Sequence, residues 1–324
     1  MNNFYSEEFS RVLKLSPTVL KELHHMQLFI TGGTGFFGNW ILKSVLWLNK
    51  YYNLKIEVCV LSRDPKKFIS RNSYLNKNHA IKFIQGDIRT FPFPKEKFTH
   101  IIHGATTNAE ETFLGQDPLI KFDTLSLGTR NILEFSKKCE ARRFLYLSSG
   151  VAYGRQPKEI LKISEEYSGA PLTTDNDFNF SVLGEGKRLS ELLTTIYSKK
   201  YGIETCIARC FSFIGPGIPL NIHYAIGNFL NDVLSEKKIT VKGDGLTIRS
   251  YLYVVDLVRW LWTLLTIGRS GNIYNVGSDE GISIKNLAIL IASCSNSNVD
   301  IEILNKQESN IQNNIYVPNI EKSK

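Results

Sequence analysis

Thr31-Gly32-Gly33-Thr34-Gly35-Phe36-Phe37-Gly38 is the stretch on which the reading of this chain turns. A short apolar run, Met26 to Ile30, precedes it, and a helical pattern from Phe37 to about Asn49 follows. Glycines at this spacing acquire meaning from that setting, a strand before and a helix after. Gly32 permits a tight turn, Gly35 lets backbone N–H groups approach a pyrophosphate, and Gly38 allows the helix to lie close on the strand. The helix N-terminus adds its positive dipole end. The backbone of Gly35, Phe36 and Phe37 is therefore the expected cradle for a dinucleotide.

On either side, the first half alternates strands and helices. Ile56 to Leu61, Ala80 to Ile84, Thr99 to His103 and Arg143 to Leu147 read as strands, and Pro118 to Cys139 as a long helix. Short apolar runs rich in Ile and Val, separated by helices, are the pattern of parallel strands buried on both faces. The expected fold class is α/β, a Rossmann-type doubly wound parallel sheet. The second half is mixed. Gly186 to Tyr201 reads as a helix stopped by Gly202, Ile203 to Ala208 as a strand, Ala225 to Leu234 as a helix and Ile239 to Val241 as a strand. A smaller mixed C-terminal lobe follows from this.

The 324 residues correspond to roughly two domains at about 150 residues each. The expected division gives 1–25 as a helical extension, with Phe9, Val12, Leu13 and then Val19, Leu20, Leu23 at helical spacing and a break at Pro17. Residues 26–210 form the NAD(P)-binding domain, completed by part of 250–276. Residues 211–249 and 277–324 form the substrate lobe. At 43% hydrophobic and 22% charged, the composition is that of a globular protein and excludes collagen, global disorder and a disulfide scaffold. The net charge of +8 comes from basic pairs scattered along the chain rather than gathered on one face, so no nucleic-acid surface is expected. Five dispersed cysteines suit a reducing compartment. Cys206 and Cys210 lack the CxxC or His partners of a zinc site, so no metal is expected. Residues 1–25 lack a secretion signal's apolar stretch, and Trp260 to Ile267 falls far short of the roughly 20 residues a membrane span needs. A cytoplasmic protein is expected.

The end of the second strand selects the cofactor. An Asp or Glu there would bind a ribose hydroxyl and favour NAD. Ser62-Arg63 instead offers a hydroxyl and a guanidinium suited to a 2′-phosphate, which favours NADP. NAD remains the alternative if the strand ends one residue later, at Asp64.

Several further motifs occur in order: Gly86-Asp87-Ile88-Arg89, His103-Gly104-Ala105-Thr106, Ser148-Ser149-Gly150-Val151-Ala152-Tyr153-Gly154, Lys187 with Glu191, Ala208-Arg209 through Ser212 to Gly217, Arg249 through Tyr253 and Asp256, and Tyr274-Asn275-Val276-Gly277. Together with the T-G-x-x-G-x-x-G loop they resemble the NAD-dependent epimerase/dehydratase family, the extended short-chain dehydrogenase/reductases, over about residues 26 to 318. Family members mostly oxidise a carbon of a nucleotide-linked sugar with bound NAD(P), then epimerise, dehydrate or decarboxylate it. The resemblance implies cofactor contacts at Gly32, Gly35, Phe36, Phe37, Gly38, Ser62, Arg63, Asp87, Ile88, Ala105, Thr106 and Lys187. It implies catalytic roles for Ser149, on the reacting hydroxyl, and Lys187, on the nicotinamide ribose. A nucleotide-diphosphate sugar would meet Ser212, Asn228 and Arg249, the last pairing with its diphosphate. It also implies a homodimer built from the helices near 118–139 and 184–201.

The chain departs from the family pattern in places. Leu183-Gly184-Glu185-Gly186-Lys187 carries leucine where the family's Y-x-x-x-K has its tyrosine, and i,i+4 spacing puts both side chains on one helix face. Leucine cannot accept a proton, and loss of a general base costs about 10² to 10⁴ in rate. The alternative to an enzyme is therefore a cofactor-binding pseudoenzyme. Gly150 and Val151 stand where the family's dTDP-glucose 4,6-dehydratases carry Asp-Glu. Ser212 and Thr124 replace family asparagines. Tyr316-Val317-Pro318 is followed by only six residues, so the helix that closes the lobe in the family is expected to be missing or short.

Overall fold

The computed structural model describes residues 3–324 except 73–74, 76–77, 108–110, 112–113, 175–177, 223, 296–298 and 305–313. The chain begins with α1 (Asn3–Val12) and α2 (Pro17–Leu23). Pro17 stands at the expected break between them. It opens the second one, where its missing N–H is harmless, and Ser16 caps it by accepting from the Val19 N–H.

The strands β1 (Gln27–Thr31), β2 (Glu57–Ser62), β3 (Ile81–Gln85), β4 (His100–His103) and β5 (Arg143–Ser149) alternate with α3 (Phe36–Tyr52), α4 (Pro65–Arg71) and α5 (Pro118–Lys138). After them come α6 (Phe178–Tyr201) and β6 (Glu204–Cys210), then the short β7 (Phe213–Ile214), α7 (Ala225–Leu234), β8 (Ile239–Val241), β9 (Ile248–Arg249) and β10 (Leu252–Tyr253). The chain continues through α8 (Val254–Ile267), β11 (Asn272–Val276), β12 (Ile282–Ser283), α9 (Ile284–Ser293), β13 (Ile301–Ile303) and β14 (Ile315–Tyr316). Seven strands form one sheet in the order β11-β6-β5-β4-β1-β2-β3. Every pairing in it is parallel. The order reverses direction between β1 and β4, and the crevice at such a switch point is where this architecture binds ligands.

One helix differs from expectation. The leucines at 189, 192 and 193 show its second half only, whereas α6 begins at Phe178. Its early turns contain Gly184, whose bare Cα packs against Pro171: a Cβ there would come within 2.3 Å of the proline ring. The apolar segment Trp260 to Ile267, noted above only for its hydropathy, is the second half of α8, which is buried on the sheet together with Trp40, Ile41 and Val45 of α3. Phe9, Leu13, Val19 and Leu23 of the extension join that same core. The opposite face is a second core around Phe29, Phe91, Phe98, Phe135 and Tyr146.

The smaller lobe has its own core of Ile226, Phe229, Ile239, Val241, Leu287 and Ala288. Its strands pair as β12-β9-β14 and β13-β8, with β10 on β7. Residues 305–313, within the expected lobe segment 277–324, lie outside the described residues.

Candidate active site

The glycine loop is built as its sequence requires. Gly32 has φ +74°, and a Cβ on it would lie 2.5 Å from the Gly104 carbonyl oxygen, so only glycine lets the first and fourth strand ends approach. A Cβ on Gly38 would lie 2.3 Å from Gly33 Cα. Gly35 is the exposed N-cap of α3 and offers no side-chain cap. The first-turn N–H groups, at Phe36, Phe37 and Gly38, have no acceptor within the helix, which makes them available to an anion. Across the crevice, Ala105 and Thr106 follow β4. The Ala105 N–H donates to Thr31 Oγ1 at 3.2 Å, while Thr106 Oγ1 is buried without a partner among the described residues. A glycine cradle, open N–H groups and an orphaned hydroxyl fit a dinucleotide.

The outer end of the crevice is less simply arranged. Ser62 is buried, and its Oγ accepts from the Asp64 N–H. Asp64 caps α4 by accepting from Lys67 N at 3.0 Å. Its carboxylate is thus engaged locally. Arg63 NH2 meets Glu111 Oε1 at 2.5 Å, a partner that strand patterning could not reveal. Asp87 accepts two hydrogen bonds from the Arg89 guanidinium, which hold its carboxyl below the usual range despite partial burial. Ile88 packs on Gly128 of α5, where a Cβ would come within 2.8 Å of its Cγ2, so its side chain braces the helix from the core.

At the centre, Lys187 is buried, and its Nζ donates to the Leu147 carbonyl at 2.6 Å and lies 4.9 Å from the Tyr146 ring. Burial pulls its ammonium down to about 8, against smaller opposing effects of Cys210 and Glu191. Leu183 is half-buried one turn earlier on α6. A chain of buried polar groups fixes this helix to the sheet. Thr31 Oγ1 pairs with His103 Nδ1 at 2.7 Å, His103 Nε2 with Thr129 Oγ1 at 2.9 Å, and Thr129 donates to Ser190 at 3.0 Å. Beside it, Glu191 accepts from Ser148 and from both Nε and NH2 of Arg209, a buried bidentate pair. Burial works against the Arg209 charge, but Glu191 outweighs it and the group is held more firmly cationic. Glu191 and Arg209 therefore orient the ends of β5, β6 and α6 rather than face a substrate.

Ser149 ends β5, and its Oγ accepts from the Val151 N–H at 3.4 Å. Around it gather Phe211, Cys210, Tyr316 and Arg249. The Phe211 and Tyr316 rings lie 4.6 Å apart, and the Arg249 guanidinium lies 5.6 Å from the Tyr316 ring. Arg249 donates to the carbonyls of Ile248 and Asn314, both at 3.0 Å. Among the described residues no carboxylate pairs with it, and burial lowers its pKa. Such a guanidinium is a site for an anion. Ser212 and Asn228 connect to this cluster through neighbours. The Ser212 carbonyl holds Leu252 N, and Asn228 N donates to the carbonyl of Tyr224, a residue close enough to Tyr316 to affect its ionisation. Sequence reasoning missed Tyr316 and Cys210 as members of this cluster. Tyr316 stood in a noted Tyr-Val-Pro motif, but only the pairing of β14 with β9 places it beside Arg249.

The profile of a family described as the NAD dependent epimerase/dehydratase family matches residues 28–277. The chain is 30% identical over 290 residues to the dTDP-D-glucose 4,6-dehydratase of Dictyostelium discoideum, a match covering 85% of this chain and 63% of that protein. It is 28% identical over 317 residues to UDP-glucuronic acid decarboxylase 1 of Xenopus tropicalis, covering 94% of this chain and 68% of that protein. In fold it is similar to the UDP-glucuronic acid 4-epimerase of Bacillus cereus, solved with UDP-glucuronic acid and NAD. There the TM-score is 0.76 at 22% identity, over 92% of this chain and 91% of that one. The UDP-glucose 4-epimerase of Thermotoga maritima, solved with UDP-glucose, gives a TM-score of 0.73 at 20% identity, over 92% and 91%.

Proposed function

Because this chain belongs to the NAD-dependent epimerase/dehydratase family, we propose that it binds NAD(P) in its glycine crevice and transforms a nucleotide-diphosphate sugar by transient oxidation of a ring carbon. The observation that carries this is Arg249, a half-buried guanidinium with no carboxylate partner among the described residues, beside Ser149. It suits a diphosphate, with the sugar extending toward Ser149.

The first turn of α3 would hold the pyrophosphate of the cofactor, Asp87 the adenosine end, Ala105 and Thr106 the opposite wall, and Lys187 the nicotinamide ribose. The nicotinamide supplies the hydride acceptor. Ser149 holds the hydroxyl at the reacting carbon. Leucine at 183 leaves the proton of that hydroxyl to another acceptor. Lys187, at about 8, is the described group of this end whose pKa lies nearest neutrality. The neutral amine accepts the proton. Gly150 and Val151 provide no carboxylate for water loss, which favours epimerisation or decarboxylation. For the cofactor we infer NADP, since Asp64 serves the α4 cap and Arg63 is free to exchange Glu111 for a 2′-phosphate. Arg63→Ala should weaken NADP and spare NAD; equal effects on both would refute the preference. We further propose a homodimer through α5 and α6, which carry the exposed side chains Leu127 and Leu192.

The test is to denature the purified protein, identify released cofactor by mass, and follow UDP-, dTDP-, GDP- and CDP-sugars by NMR. Native turnover should have an acid limb near pH 8, because protonated Lys187 cannot accept a proton. Leu183→Tyr should move that limb lower, toward the behaviour of a tyrosine base. No native turnover, with turnover appearing in Leu183→Tyr, would instead establish the pseudoenzyme.

A further inference from the structure

We infer that Tyr316 supplies, from the last strand, the phenol that position 183 lacks: its hydroxyl binds the oxygen on the reacting sugar carbon together with Ser149. The inference rests on the functional reading above and names a residue that reading does not use.

β14 lies parallel to β9, with Tyr316 opposite Arg249. This register sends the tyrosine ring across the face of Phe211. The hydroxyl ends directly over Gly150, where a Cβ would come within 2.6 Å of it and within 2.8 Å of Phe211 Cζ. Only glycine at 150 leaves room for the phenol to reach the end of β5. There it lies next to Ser149. The two departures at this end thus fit one another. A side chain is missing at 150, a phenol is missing at 183, and a phenol from another element passes through the space at 150.

Tyr153 offers a contrast. Its hydroxyl donates to Asn275 Oδ1 at 2.8 Å, inside a network tied to backbone carbonyls, as a structural tyrosine does. The Tyr316 hydroxyl has no such network among the described residues and ends at Gly150, beside the serine expected to hold the substrate. Burial raises the Tyr316 pKa, so the phenol keeps its proton at neutral pH. It acts as a hydrogen-bond donor to the substrate oxygen, as alcohol and as carbonyl, and it is not the base. No bond to Tyr316 forms or breaks.

The experiment measures the affinity of UDP, UDP-glucose, dTDP-glucose and UDP-glucuronate by calorimetry for the native protein, Tyr316→Phe and Gly150→Ala, each loaded with cofactor, and then turnover against pH. Tyr316→Phe should leave UDP binding unchanged and weaken the preferred nucleotide sugar by about threefold to tenfold, the worth of one hydrogen bond. Turnover should fall by about 10² or more with the midpoint of the pH profile unmoved. Gly150→Ala should reproduce the loss with the hydroxyl still present, which covers the case in which Tyr316→Phe folds poorly. Native binding of a sugar with unaltered affinity and turnover in both variants would overturn the inference while leaving the proposed function standing. A shifted pH midpoint in Tyr316→Phe would overturn the donor role. A native protein that binds UDP but no sugar more tightly than UDP would overturn both.

Discussion

His103 shows how much one side chain's setting decides. It is fully buried between Thr31 and Thr129, and burial drives its imidazole down to about 3, with Lys187 adding to the effect. A neutral ring can donate through one nitrogen and accept through the other, as its two threonine contacts require. His100 is likewise held at about 3 by burial, then by Arg142 and Arg143. Unfolded histidine titrates near 6.5, so between about pH 3 and 6.5 the unfolded chain binds protons that the folded chain refuses. Stability is therefore expected to fall as pH drops below 6.5, by about 1.4 kcal/mol per pH unit for each histidine. Urea unfolding at a series of pH values checks this; a flat profile from 6.5 to 4 would contradict it. The sequence placed His103 at a strand end and grouped it with the cofactor wall. It could not show the threonines 72 positions before and 26 after that fix its state.

Elements were legible where their pattern is local. The α3 helix follows from its glycine start, and Gly38→Ala tests it. The added methyl would strike backbone at Gly33, with no flexible side chain to yield, so cofactor affinity should drop at least tenfold in a titration. The extension was legible as helices but not as core. Phe9 of α1 is fully buried against Trp40 and Trp47, at 5.8 and 5.9 Å between rings, and Glu8 accepts from the Tyr253 hydroxyl at 2.6 Å. Phe9→Ala should cost about 3–5 kcal/mol in denaturant unfolding, the usual price of a large cavity. A loss below about 1 kcal/mol would mean that α1 is an appendage.

At the scale of the molecule, Leu127 and Leu192 are 56% and 57% exposed on α5 and α6. Leu192→Glu should convert the expected dimer to a monomer in sedimentation without changing the fold; a native monomer would dismiss that assembly. Six strands of the sheet, its glycine loop and the second half of the lysine helix could be read from the chain, because each rests on neighbours within a few turns and on a period of hydrophobicity. Arg63 meeting Glu111, Glu191 clasping Arg209, and Tyr316 passing over Gly150 could not. Those contacts join residues 48, 18 and 166 positions apart, and their partners are chosen by strand register and by the absence of a Cβ at one position. Local patterning sets which strands and helices form. Which side chains meet at their ends depends on how those elements stack, and that was decided only in the folded chain.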